Sequence, residues 1–414
     1  MYLRLFSTVA LIATVTAVCM AGNPPLKNSA ASPAPASYVV TNDDANALLG
    51  QNSISFFQAG GSPLAPSLTY QTTLFIGGTG IGGGFFGSSR LTSLPDSGAQ
   101  CLYVSDSGSA AVVAVNLQTQ QVAGTFYGSE NDTGTSNGIG LAMNGSYLYA
   151  SFTDSNTIGT FAVLPGCQLN YVNSVTVGGL NGGTIYAMAV NGKILVVTYA
   201  DGSIESFNIS VGTPAPNGDQ QYSTGYVNDY NNLPDGVDIT QDGHYAIFGD
   251  AAIRTVVEVS DISSGKLKPT SVYQLGVGPV AVGPIAVVPG VNSSNVRLSP
   301  DESLLFISNN QSGNVTAGFF NPTTGAVSPG CTSPTLSGFY NPWAYLGSMV
   351  TENTSGNGGV LYVAEFGVPS SIGILTVATS GGTCKLTEST NSPSVDPIDS
   401  GGVLSIWAYP PRPF

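Results

Sequence analysis

The chain has 414 residues, 42% of them hydrophobic and only 8% charged, with 53 Gly and 26 Pro. Its 24 acids against 10 bases leave a formal net charge of −14, the wrong balance for a binder of DNA, RNA or anionic membranes. Few charges and abundant Gly, Ser, Thr and Asn exclude a mainly helical protein and predict strands joined by many turns.

Residues 1–21, MYLRLFSTVALIATVTAVCMA, read as a secretory signal peptide: Arg4 supplies the positive charge and Leu5 to Val18 the short apolar stretch. Cleavage is expected after Ala21. The alternative is cleavage before Cys19 with lipid on its sulfur, although Val18 suits that processing poorly. Residues 22–37 are rich in Pro, Ala and Ser and read as a flexible linker. Either way the protein is expected outside the cytoplasm, secreted or periplasmic, touching a membrane only through a lipid on Cys19. Cys101, Cys167, Cys331 and Cys384 then permit disulfides, with three full pairings open, or four buried thiols.

From Tyr38 onward one unit recurs. Apolar strands appear as YVVTN (38–42), LYVSD (102–106), LYASF (148–152), LVVTY (195–199), AIFGD (246–250), LFISN (305–309) and LYVAE (361–365). Their centres lie 64, 46, 47, 51, 59 and 56 residues apart. Each is followed by a second strand and then a weaker one, such as QVAGTFY at 121–127. Five of the seven are preceded by a strand ending in a tight turn, as in IGLAMNG (139–145) and VDITQDG (237–243). PWAYLGSMVTEN (342–353) is a less regular version before the seventh.

The opening unit has no such strand before Tyr38, and the chain ends in GGVLSIWAYPPRPF, whose strand Val403 to Tyr409 has nothing after it to pair with. A ring resolves both. The expected fold is all-β, a seven-bladed β-propeller over 38–414 with four-stranded antiparallel blades, closed by the C-terminal strand joining the N-terminal blade. Tandem β-sandwiches, the competing architecture, leave the incomplete first unit unexplained.

With YVVTN at 38–42, Asp-Gly or Pro-Asp turns and seven units, the chain resembles the lactonase-type, or YVTN-repeat, seven-bladed propellers. That resemblance covers nearly all of the mature chain and concerns the fold. It implies a family holding sugar-lactone hydrolases, muconate-cyclising enzymes and exported proteins without known activity. No catalytic residue carries over position by position.

In propellers, ligands usually meet the face made by the loops between strands two and three and between blades. On that face the topology puts 13 of the 24 acids, among them Asp43, Asp44, Asp106, Asp235, Asp250, Glu365 and Asp396, with Arg254 as the loop base. Such a mouth favours cations or polyhydroxyl ligands, and its oxygens could ligate Ca²⁺, although no ordered Ca²⁺-loop motif is present. As good turn formers, the same acids are also expected simply as solvated turn residues. Aligned on the tight turn, Asp238 and Arg297 occupy one position on adjacent inner strands and are expected to pair beside the channel, with Arg90 nearby. They are the candidate catalytic residues. Arg90, Asp106, Asp235, Asp250, Glu365 and Trp343 are the candidate ligand-binding residues.

Other motifs fall away. GTGIGG (78–83) is followed by no helix to receive a phosphate, and GTSNG (134–138) lies in a polar loop. The single His244 sits in a turn on the opposite face, so neither a Ser-His-Asp nor a His-metal mechanism has its parts. The expected function is non-catalytic binding of an extracytoplasmic protein, glycan or small neutral ligand through the acidic face. The alternative is hydrolysis or isomerisation of an uncharged lactone by Asp238 and Arg297, with or without a cation.

Overall fold

Runs such as Leu102–Tyr103–Val104 and Leu195–Val196–Val197 are apolar on both faces of a strand, so each must be covered twice. A computed structural model shows how. It describes residues 38–44, 50–62, 64–81, 90–93, 101–132, 138–223, 234–250, 256–274, 278–280, 293–309, 312–339, 345–352, 359–366, 369–398 and 405–409.

The described strands form seven antiparallel sheets. From centre to rim, blade 1 runs Ser405–Tyr409, Tyr38–Asn42, Asn52–Ser62 and Ala65–Gly77. Blade 2 runs Leu91–Ser93, Cys101–Asp106, Ala111–Asn116 and Gln121–Tyr127. Blade 3 is Ile139–Met143, Tyr147–Phe152, Thr157–Leu164 and Gln168–Thr176. In blade 4, Ile185–Asn191, Ile194–Tyr199 and Ser203–Asn208 are edged by the short pieces Ala215–Pro216 and Gln221–Tyr222. Blade 5 is Pro234–Ile239, Tyr245–Asp250, Val256–Asp261 and Lys268–Gln274, with Gly278–Val280 outside. Blade 6 is Ser293–Leu298, Leu304–Asn309, Asn314–Asn321 and Ala326–Thr332. Blade 7 is Tyr345–Glu352, Gly359–Phe366, Ser371–Ser380 and Thr383–Glu388, with Ser394–Val395 beside its third strand.

Each innermost strand touches that of the next blade, and blade 7 returns to blade 1. The closure is the expected one: Val40 lies opposite Trp407, and Val39 opposite Ala408. Strand alternation now has a purpose. Val40, Phe56 and Trp407 pack into the seam with blade 2, while Val39, Phe57, Ile406 and Ala408 pack into the seam with blade 7. Every other seam has its own buried apolar cluster, so the core is divided among seven interfaces. A propeller blade therefore reads as continuously apolar because each of its faces is an interior.

On the face of the tight turns, neighbouring blades are also laced by polar contacts. The Asn191 amide donates to Thr240 O of blade 5, and the Gln241 N–H donates to Glu302 Oε1 of blade 6. At the position where blade 5 has Gly243 at φ +69°, blade 6 has Glu302 at φ +56°, a conformation that costs a side-chain residue energy. The contact to Gln241 offsets part of that cost.

Of the open cysteine pairings the structure selects Cys101–Cys167 and Cys331–Cys384, joining blade 2 to blade 3 and blade 6 to blade 7. The alternative of four thiols is thereby replaced. These links close loops of 66 and 53 residues, which in the chain-entropy account stabilise by about 4 kcal/mol each. Replacing Cys331 and Cys384 together by Ser is expected to lower the unfolding free energy by roughly that amount. A urea titration, with circular dichroism to verify the sheet content, measures it.

Candidate functional site

The end of a second strand points its side chain toward the loop that delivers the chain from the preceding blade. Among the described side chains, blades 1, 2, 4 and 7 have an acid at or just past that strand end, and its carboxyl meets that loop. Asp106 fills the space that a Cβ on Gly78 would occupy and accepts from Asn52 Nδ2 at 3.1 Å. Asp201 accepts the N–H groups of Asn181 at 2.6 Å and Gly183 at 3.2 Å. Glu365 lies against Gly338 and accepts from Ser371 Oγ at 2.6 Å, while its Oε1 has no hydrogen-bond partner among the described residues. Asp43 meets Asp396, with the Thr41 hydroxyl between them, 2.5 Å from Asp43 Oδ1 and 3.0 Å from Asp396 Oδ2. Asp43, Asp44, Asp106, Asp132, Asp201, Glu365 and Asp396 are all at most 8% exposed. The expectation of solvated turn residues is thus corrected: these acids are buried and hold loops to neighbouring blades.

Their protonation follows from their partners. Burial lifts Asp106 to about 6, and the Asn52 and Ser109 contacts only partly oppose it. Burial lifts Glu365 to about 7, with Ser371 again opposing weakly and Glu388 adding repulsion. Burial would raise Asp201 too, but the Ser203 hydroxyl and three backbone N–H groups outweigh it and hold the carboxyl below its ordinary value. Asp43 and Asp396 are both pushed up by burial, and for Asp43 by the facing carboxyl as well.

Arg90 begins the inner strand of blade 2 and its backbone N–H donates to Ser405 Oγ of blade 1 at 3.0 Å. Its Nη1 stands 2.9 Å from Asp44 Oδ1, with both side chains almost wholly buried. Its Nη2 abuts Gly138, at the entry to blade 3. Arg90 thus belongs to the junction of blades 1, 2 and 3. Its expected place beside Asp238 and Arg297 is corrected: the loop acid Asp44 is close enough to claim it, and the alignment on tight turns could not show that loop.

Asp238 and Arg297 do approach each other from blades 5 and 6, but only to 3.9 Å, with Arg297 31% exposed. The Asp238 carboxylate is otherwise engaged. Its Oδ1 accepts Ile239 N–H and its Oδ2 accepts Leu298 N–H of the next blade, each at 2.9 Å. The pair therefore stitches two inner strands more than it displays a reactive carboxylate. Asp235 and Asp250 lie on strands whose register puts Pro234 opposite Asp250, and their side chains fall outside the described residues, as does Trp343. Among the described residues no group of three or more His, Cys, Asp or Glu could hold a metal ion. None of their helices is long and apolar enough to cross a membrane.

Solved structures with this ring exist. A candidate 6-phosphogluconolactonase of Bacteroides uniformis superposes with a TM-score of 0.65 at 13% identity, over 90% of this chain and 99% of its own. One of Bacteroides fragilis gives 0.64 at 15% identity, over 91% and 99%. This chain has the lactonase-type propeller fold. The periplasmic gluconolactonase of Pseudomonas aeruginosa gives 0.57 at 13% identity, over 86% and 97%. No protein-family model and no curated protein sequence matches the chain. At such identities the likeness concerns the architecture alone.

Residue by residue, the structure keeps Asp106 and Glu365 at the loop face as buried anchors and separates Arg90 from the Asp238–Arg297 pair. Sequence inspection missed the Asp44–Arg90 and Asp43–Asp396 partnerships. The consecutive acids after YVVTN were their only trace. Arg90→Met removes the cation beside the buried Asp44 and is expected to cost about 3–5 kcal/mol, whereas Arg297→Met, at a loose and part-exposed pair, is expected to cost under about 1 kcal/mol. Urea midpoints of the two variants provide the comparison.

Proposed function

We propose that this chain is an exported lactonase-like propeller that binds a partner through its loop face and performs no catalysis there. The observation carrying the proposal is the engagement of its acids. Seven loop-face carboxyls, those named above, are buried, against an exposed Glu130 and a half-buried Asp154, and both oxygens of Asp238 accept backbone N–H groups. A general base needs an oxygen free to reach the proton that it abstracts. The fitting partner is an extracytoplasmic protein, a glycan or a small neutral ligand, recognised by hydrogen bonds and stacking rather than by charge. Two disulfides fit an oxidising compartment, secreted or periplasmic, with lipid on Cys19 as the alternative mode of retention.

The alternative is hydrolysis or isomerisation of an uncharged lactone at Asp238 and Arg297, assisted by a cation such as Ca²⁺. The architecture shared with gluconolactonases favours it. A phosphorylated lactone fits less well, because it wants a free Arg or Lys and Arg90 is taken by Asp44. Purified protein offered a panel of neutral lactones is expected to show no turnover above background, with or without chelator. Chelator-sensitive turnover that disappears in Asp238→Asn would replace binding by hydrolysis.

A further inference from the structure

The closure of the ring carries an imbalance of protons. Asp43, just after Tyr38–Asn42, and Asp396, in the connection from blade 7, bring four carboxyl oxygens together between the two chain ends. Hydroxyls of Thr41, Ser53 and Ser55 and the N–H of Ile398 meet them. A hydroxyl has one proton to give. Thr41 Oγ1 nevertheless lies 2.5 Å from Asp43 Oδ1 and 3.0 Å from Asp396 Oδ2, and also accepts the Ser55 N–H. Ser55 Oγ likewise lies 3.1 Å from Asp43 Oδ2 and 3.2 Å from Asp396 Oδ1, and contacts Thr73. With both acids ionised, each hydroxyl would turn a lone pair toward one carboxylate. A proton on either acid converts such a contact into a hydrogen bond.

We propose that one proton held by the Asp43–Asp396 couple is a structural part of the ring closure, making the seam between blades 7 and 1 an acid-stabilised latch that weakens as its surroundings turn neutral to alkaline. The couple is buried, so solvent does not screen the two carboxylates once that proton leaves. Described residues of two blades surround it. Blade 1 contributes Thr41, Ser53, Ser55, Thr73 and Asp44, the last paired with Arg90 of blade 2, and blade 7 contributes the Ser370 carbonyl, which accepts Asp396 N–H at 2.9 Å.

Two further seams act in the same direction: Asp106 faces Asp44 and Asn52, and Glu365 faces Glu388, Ser371 and Gly338. A carboxyl raised in the fold contributes its stability fully below its unfolded pKa, near 4, and loses it as pH climbs through the folded value. For Asp106 that window closes at about 6 and for Glu365 at about 7. Asp201, Asp261 and Asp301 are held low and act oppositely, destabilising the fold only as pH falls toward and below about 4.

The test is the urea midpoint of the full exported chain between about pH 4.5 and about pH 8, followed by tryptophan fluorescence. The midpoint is expected to fall with rising pH, each raised carboxyl increasing the unfolding constant about tenfold per pH unit within its window. Asp396→Asn keeps an oxygen for Ile398 and supplies an N–H where the shared proton stood. It is expected to flatten the pH dependence and to exceed wild type at about pH 8. Asp43→Asn, the reciprocal variant, serves the same purpose if the first does not fold. A wild-type midpoint that is level or rises over this range overturns the proposal, as does a variant with the wild-type slope. So does a wild-type midpoint at alkaline pH that millimolar Ca²⁺ raises and chelator resets, for the couple is then a cation site.

Discussion

Five residues from each end of the ring, Tyr38–Asn42 and Ser405–Tyr409, make the pairing on which the other six blades depend. Its two strands present side chains alternately to opposite seams, so one ladder supplies Val40 and Trp407 to blade 2 and Val39, Ile406 and Ala408 to blade 7. Losing it would wet two apolar interfaces at once and leave a bare sheet edge. Polar contacts tighten it further: Asn42 Nδ2 donates to Ser105 O of blade 2, and Arg90 N–H reaches Ser405 Oγ.

A chain with so few bases cannot give each buried acid a cation. It uses hydroxyls, amides and backbone N–H groups instead, and the kind of partner decides the chemistry. Asp201, accepting three backbone N–H groups and a hydroxyl, is stabilised as an anion. Glu365, with one hydroxyl and one oxygen that has no hydrogen-bond partner among the described residues, is shifted by burial toward its protonated form. Buried acids near the same end of their blades thus differ in charge preference through local donor supply. Most of the described acids on a loop face that looks strongly acidic in composition are buried.

That contrast explains which parts of the candidate site were legible. Asp238 and Arg297 could be brought together from the sequence because both sit at a fixed offset from a tight turn on adjacent inner strands. Their reduced importance could not, because it depends on Leu298 N–H and Ile239 N–H each engaging one oxygen of the carboxylate. Arg90 and Asp44 lie outside any repeated offset, and the extra length between the first two units hid their proximity. The cysteines are similar: each pair joins neighbouring blades at points that chain spacing does not single out.

Alternating and continuous apolar runs, turn residues and an unpaired strand at each end were enough to determine the strands, seven blades and a closed ring. These are properties of short segments and of their order, and local stereochemistry with burial of apolar area dictates them. Which carboxyls are interior, which oxygen each donor reaches and which cysteines bond were decided only by the tertiary structure. Thr41 and Asp396 stand 355 residues apart in the chain yet share a hydrogen bond. Desolvation and hydrogen bonding act over a few ångströms of space, and a ring brings into that range residues that the sequence separates most.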